Sequence, residues 1–345
     1  MQTEILGPDP ISLRKAANLL LAGEVVAIPT ETVYGLAAHG LKAQAVQKIF
    51  SAKGRPSTDP LILHLPTPDL KAALAAGIVA EPIPEVAYQL TSAFWPGPLT
   101  MILPKGPKVP LEVTSGLPSV AVRYPAHPVA QKLLSIADVP LAAPSANRFG
   151  RISPTDAKAV SEELGGRIPV ILDGGSCQTG VESTVLSLFK QEPVILRPGK
   201  ITAEQLGRIL GKNPKILSTK SKLDQSMPSP GMLESHYAPA TPLYLVDQPI
   251  THFPTGMQYI HYSSDEKQLS PNRQILTPVG DPETAAQNLY RVLRKADAQG
   301  SQAIFIEPIP DSDFAPALRD RLQRASTGTA YWDGQAWKLT QRQVI

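Results

Sequence analysis

Short apolar runs that break off at a small or charged polar loop recur through the first part of this chain. They are Val25-Val26-Ala27-Ile28 before Pro29, Leu61-Ile62-Leu63-His64-Leu65 after Pro60, and Ser119-Val120-Ala121-Val122-Arg123. Leu141-Ala142-Ala143 before Pro144, Val170-Ile171-Leu172 before Asp173 and Val194-Ile195-Leu196 before Arg197 repeat the pattern. Runs of this length, bounded by turn residues, read as strands. Between them lie stretches with helical apolar spacing. Leu13, Ala16, Ala17 and Leu20 share one helix face, with Ser12 as the expected cap and Gly23 closing the helix. Val46, Ile49 and Phe50 share another, and Gly54 and Pro56 end it. Mixed strands and helices of this kind imply an α/β sheet flanked by helices.

Period-two alternation assigns faces. In 61–65 the leucines take one side and His64 the other; in 119–123 Ser119, Ala121 and Arg123 share a side opposite Val120 and Val122. An arginine at a strand end on a small-residue face can pair a carboxylate bidentately. The loop Pro29-Thr30-Glu31-Thr32-Val33-Tyr34-Gly35-Leu36 adds hydroxyls, a carboxylate, an aromatic wall at Tyr34 and a glycine that permits close backbone approach. Lys53, Arg55, Asp59 and His64 fall around one helix–loop–strand turn. The two cations can cap a helix terminus, yet with the 29–36 loop upstream an anion site is the better account. Ser145, Asn147 and the helix start expected at Ser153-Pro154 could hold phosphate oxygens. Phe94-Trp95-Pro96-Gly97-Pro98 reads as a rigid structural turn, and Asp173-Gly174-Gly175 as a plain one.

Thr202-x-x-Gln205 is a capping box opening the helix that closes this region. From 211 to 227 the apolar pattern fades into a linker, and Ser229-Pro230-Gly231-Met232-Leu233-Glu234-Ser235-His236-Tyr237-Ala238-Pro239 is too particular for a spacer. Strands near 244–246, 259–262 and 303–306 then alternate with a helix from Asp281-Pro282 and a last helix near 316–325. This suggests a small parallel α/β domain, with Arg319, Arg321 and Arg324 forming a solvated face. The expected organisation is a first domain over 1–210, a linker over 211–241 and a second domain over 242–345.

Composition narrows the function classes. A net charge of +3 argues against a nucleic-acid coat protein, and 18% charged residues are too few for a disordered chain. One cysteine, Cys177, forms no internal disulfide and no zinc-type cluster, which fits a reducing, cytoplasmic setting. The first apolar segment carries Arg14, Lys15 and Asn18, so neither a signal peptide nor a membrane span is expected there. No Walker loop, G-x-G-x-x-G or nucleophile elbow occurs.

Taken together, the 29–36 motif, Lys53-x-Arg55 through His64, 119–123, Pro144–Asn147, Glu182-Ser183-Thr184-Val185 and Leu196–Gly199 resemble the YrdC-like threonylcarbamoyl-AMP synthases. The linker motif and second α/β domain resemble the family's longer, two-domain form. The resemblance implies a YrdC-like twisted, mixed, open sheet flanked by helices, plus a smaller Rossmann-like parallel α/β domain. It implies synthesis of L-threonylcarbamoyladenylate and pyrophosphate from L-threonine, bicarbonate or CO2, and ATP, with Mg²⁺ accompanying the nucleotide and no protein metal site. The product would feed the machinery that threonylcarbamoylates tRNA, with direct tRNA contact as an option and no membrane partner. Thr32, Tyr34, His64, Arg123, Ala143 and Ser183 would hold threonine. Lys53, Arg55, Asp59, Ser119, Ser145, Asn147, Ser153 and Arg197 would hold ATP, under a lid containing Gly231, His236 and Tyr237. Lys53, Arg55 and Arg123 would be the catalytic cations, acting by position and charge. Two positions depart from the family: Asp59 stands where Asn is usual, and Glu234 where relatives often carry a basic residue. The competing reading is a non-catalytic module whose basic concave face docks RNA.

Overall fold

The computed structural model describes residues 2–190, 192–217, 236–263 and 272–342. They pack as two compact units. The first gathers the described residues up to 149, from 154 to 178 and from 182 to 217; the second gathers 150–153, 179–181 and those from 236 onward.

The first unit is built on one mixed sheet of eleven described strands. Across it run Glu4–Leu6, Val170–Leu172, Val26–Ile28, Gly35–His39, Leu141–Ala142, Ile62–His64, Ser119–Arg123, Leu99–Pro104, Thr184–Ser187, Val194–Arg197 and Lys215–Ile216. Two central strands, Ile62–His64 and Ser119–Arg123, run parallel, with Ile62 opposite Ala121 and His64 opposite Arg123. Alternation then sorts their side chains as the sequence implies. Leu61, Leu63, Leu65, Val120 and Val122 enter the main core, while Ile62 and Ala121 join Ile102, Val185 and Leu196 in a small apolar floor on the other face. That second face carries the polar groups described below.

Several helix starts differ from expectation by a few residues. Pro10–Leu21 is capped by Asp9, whose carboxylate accepts from the Ile11 and Ser12 amides; Ser12 instead donates its hydroxyl to Asp9 Oδ2 at 2.5 Å. An N-cap carboxylate satisfies two orphan amides and sits at the positive helix end, so it displaces the serine one turn inward. Likewise Ala157–Leu164 is capped by Asp156 rather than Ser153. The capping box at Thr202 and Gln205 forms with both reciprocal bonds, 3.2 and 2.9 Å. Gly54 ends Ala43–Lys53 in the left-handed region.

The second unit holds six described strands in the order Arg273–Ile275, Met257–His261, Ala303–Ile306, Leu243–Val246, Gly328–Trp332, Trp337–Gln341. All pair in parallel except the last. Sequence reading missed Trp337–Gln341, an edge strand that is exposed except for Trp337, which packs on the core through Phe305. The expectation of a solvated arginine face on Ala315–Ala325 is corrected: Arg321 and Arg324 are 1% and 3% exposed, and both engage Asp320 at 3.0 Å. Only Arg319 of the three is exposed. A cavity of about 420 Å³ lies wholly within this unit, walled by Leu245, Val246, Ile309 and Leu322, and none of the expected site residues lines it. No described helix is long and apolar enough to cross a membrane.

Candidate active site

The chemistry gathers on the polar face of the first unit. Arg123 closes its strand there and is 3% exposed, so the alternative of a surface arginine at a sheet edge does not hold. Two loops distant in sequence, 29–34 and 94–98, grip the guanidinium. Gly97 offers its carbonyl to Nε at 3.2 Å, Thr32 Oγ1 accepts from Nη1 at 3.0 Å, and Glu31 Oε1 lies 2.6 Å from Nη2. The last is a contact ion pair rather than an aligned hydrogen bond. The Phe94–Pro98 turn therefore has a task that its sequence does not announce. Its shape requires glycine at 97, where a Cβ would stand 2.3 Å from the Phe94 carbonyl oxygen.

The 29–34 loop is held by its own hydroxyls. Thr30 Oγ1 donates to the Val33 carbonyl at 2.6 Å, accepts from the Thr32 and Val33 amides, and lies 2.8 Å from Thr32 Oγ1. Tyr34 is placed differently from the expected ligand wall. It is fully buried in the core, donates its hydroxyl to the Gly175 carbonyl at 2.8 Å and accepts from the Gly174 amide at 3.1 Å. Burial pushes the phenol up, so it stays neutral. The 173–175 turn, read as plain, is thus the anchor of this loop. Gly35 behaves as expected: its backbone passes so close to Ala143 that an added Cβ would lie 3.3 Å from the alanine methyl. The 34–36 segment is thereby stitched to 144–146 through the Leu36 amide on Pro144 and the Ala146 amide on Tyr34.

His64, beside Arg123 in the register, is 3% exposed, and neither ring nitrogen makes a well-formed hydrogen bond among the described residues. Burial, and secondarily the Arg123 charge, push its pKa down to about 3, so the ring is neutral at physiological pH. Ser183 Oγ lies 2.8 Å from Thr100 Oγ1 and accepts from Arg197 Nη2 at 3.1 Å, while Arg197 Nε donates to the Ser183 carbonyl.

The other end of the same strands carries the second cluster. Ser119 and Arg123 are four steps apart, roughly 13 Å along an extended strand. Arg55 pairs with Asp59 Oδ2 at 2.8 Å and donates to the Asp59 and Pro60 carbonyls. That pairing neutralises the Asp59 carboxylate with its own arginine. Lys53 does not cap its helix; its buried ammonium donates to the Ser145 and Asn147 carbonyls, each at 2.5 Å. Burial, then the neighbouring Arg55, lower its pKa well below the usual lysine range. Lys53 therefore fixes the 145–147 loop, and Asn147 Nδ2 donates to the Arg148 carbonyl within it.

Three expected nucleotide residues belong to the second unit. Ser153 is buried there, and the His236 amide donates to the Arg324 carbonyl. Tyr237 stacks on Tyr290 with centroids 5.9 Å apart and lies under the Arg321 guanidinium. Gly231, with the rest of the expected lid up to 235, lies outside the described residues.

The chain is similar to known proteins over most of its length. The family model described as Telomere recombination, covering Sua5, YciO and YrdC proteins, matches residues 18–199; the model described as Threonylcarbamoyl-AMP synthase, C-terminal domain, matches 201–327. A curated threonylcarbamoyl-AMP synthase of Bacillus subtilis is 40% identical over 346 residues, spanning 94% of this chain and 96% of the relative. Its Pyrococcus abyssi counterpart is 38% identical over 323 residues, spanning 91% and 94%. The crystal structure of P. abyssi Sua5 complexed with L-threonine superposes with a TM-score of 0.85 at 36% identity, covering 94% of this chain and 98% of that one.

Proposed function

The chain belongs to the threonylcarbamoyl-AMP synthase family in its two-domain form, and from that premise we propose how its residues carry the reaction. It is an enzyme of tRNA modification that makes threonylcarbamoyl-AMP from L-threonine, bicarbonate or CO2, and ATP. In reaction class we assign it to the nucleotidyltransferases: an adenylyl group passes to the carbamate oxygen and pyrophosphate leaves.

The observation that carries this reading is Arg123, a buried guanidinium aimed along a small-residue face beside Thr32 and a neutral His64. That set suits an amino acid with a β-hydroxyl. Arg123 takes the α-carboxylate, while neutral His64 and Thr32 exchange hydrogen bonds with the hydroxyl; Ser183 and the Ala143 backbone close the pocket. Arg55, Ser119, Ser145, Asn147 and Arg197 bind the nucleotide, and Lys53 holds the 145–147 loop in the form that receives it. Mg²⁺, bound together with ATP, would supply positive charge to the phosphates. Low exposure around the threonine groups favours a short-lived carbamate by keeping bulk water away.

Burial also weighs against the RNA-docking alternative. Lys53, Arg55, Arg123 and Arg197 are 2%, 6%, 3% and 4% exposed, so they present no charged surface for a phosphate backbone to follow.

The test is pyrophosphate release from ATP and Mg²⁺ with threonine and bicarbonate omitted in turn. Release requiring both is expected; ATP turnover indifferent to threonine would overturn the substrate assignment.

A further inference from the structure

Glu31 has no task in the reading above, although it touches the residue at its centre. The side chain is 6% exposed, its Oε1 is 2.6 Å from Arg123 Nη2, and its Oε2 is buried with no hydrogen-bond partner among the described residues. The rest of Arg123 is already oriented, by Gly97 on Nε and Thr32 on Nη1. Stability alone is a poor account of this pair. A buried ion pair offsets its desolvation only when the remaining lone pairs and protons are hydrogen-bonded, and here both Oε2 and the Nη2 edge are left over.

A guanidinium and a carboxylate at contact distance, each with a buried unsatisfied edge, form the complement of a zwitterion. An amino acid places its own ammonium and carboxylate at similar separation with the signs reversed. Resting on the threonine reading, we propose that Glu31 binds the substrate's α-ammonium while Arg123 binds its α-carboxylate, so that the pair selects an α-amino acid over other small carboxylates. Both charges remain buried in the complex, and each gains a charge-assisted partner that the unliganded pair lacks. Nearby polar groups are committed elsewhere. His127 Nδ1 accepts from the Val129 amide, and burial keeps the Cys177 thiol neutral, so neither offers an anion for the ammonium.

The test uses the full chain, wild type and Glu31→Gln, in calorimetric titration with two ligands. One is L-threonine; the other is 2,3-dihydroxybutyrate of matching configuration, which keeps the carboxylate and β-hydroxyl but has a hydroxyl in place of the ammonium. Wild type is expected to prefer threonine by about tenfold or more, and Glu31→Gln to lose about that factor for threonine alone. ATP affinity serves as the check on folding. Equal loss for both ligands, or no loss, would reduce Glu31 to a prop for Arg123 and overturn the proposal. If the variant does not fold, equal affinity of wild type for the two ligands overturns it as well. Failure of the functional reading looks different: wild type then binds ATP but not threonine.

Discussion

Arg123 and Glu31 depend on each other, and the energetic consequence can be measured. Arg123→Ala leaves a buried carboxylate without its counter-charge, a change that costs about 3–5 kcal/mol where one partner of a buried pair is removed. Adding Glu31→Ala removes the orphaned charge, so chemical denaturation should find the double variant more stable than Arg123→Ala alone. Additive losses would show that the 2.6 Å contact is energetically empty. The same single variant should lose threonine binding while keeping ATP. His64 makes a second prediction at this scale. Its folded pKa of about 3 lies below the ordinary 6.5, so the unfolded chain binds the proton more readily between those values. The stability it contributes is present above pH 6.5 and is lost as pH falls toward 3. His64→Gln should flatten that limb of the stability–pH curve; an unchanged slope would mean the ring is not buried as described.

Among the elements, the 94–98 turn is the one whose geometry reaches the site. Gly97→Ala must displace the turn, because the new methyl meets the Phe94 carbonyl at 2.3 Å, and the Gly97 carbonyl then leaves Arg123 Nε. The expected result is a raised KM for threonine with ATP affinity kept; an unchanged KM would make that carbonyl dispensable. The helix Ala203–Leu210 supplies the contrast. Thr202→Ala removes its capping box and should lower stability by about 1 kcal/mol without touching either substrate constant. Sequence reading treated these two elements correctly as local structures. It could not see that one of them hands a carbonyl to an arginine across the sheet, since nothing in a proline-rich aromatic turn encodes its distant neighbour.

Across the whole molecule, the linker motif ends on the second unit's core. Tyr237 is 1% exposed, has φ of 64°, and is packed between Tyr290 and Arg321. Holding a non-glycine residue in that backbone region costs energy that its packing must offset. Tyr237→Ala should therefore destabilise the second unit by about 3–5 kcal/mol, as for other large aromatic truncations. Limited proteolysis of the second unit at unchanged rate would contradict this. The arginines of Ala315–Ala325 belong to the same lesson: a polar pattern on a helix reads as solvated until an aspartate and a stacked ring bury it.

What the sequence determined by itself is what local periodicity carries: the strands built on apolar runs, such as Ile62–His64 and Ser119–Arg123, the leucine face against the His64 and Arg123 face, the close approach at Gly35, and the capping box. These follow from spacing within one element, because side-chain direction alternates along a strand and recurs along a helix. The motifs, taken together, also carried the family resemblance. Only the tertiary structure decided what each polar group holds. Thr32 and Arg123 are 91 positions apart, Lys53 and Asn147 are 94, and Tyr34 and Gly175 are 141. Hydrogen bonds over such separations depend on strand order and loop path, which no local pattern contains. Burial then settled the rest, turning Tyr34 from a ligand wall into an anchor and leaving Glu31 beside Arg123.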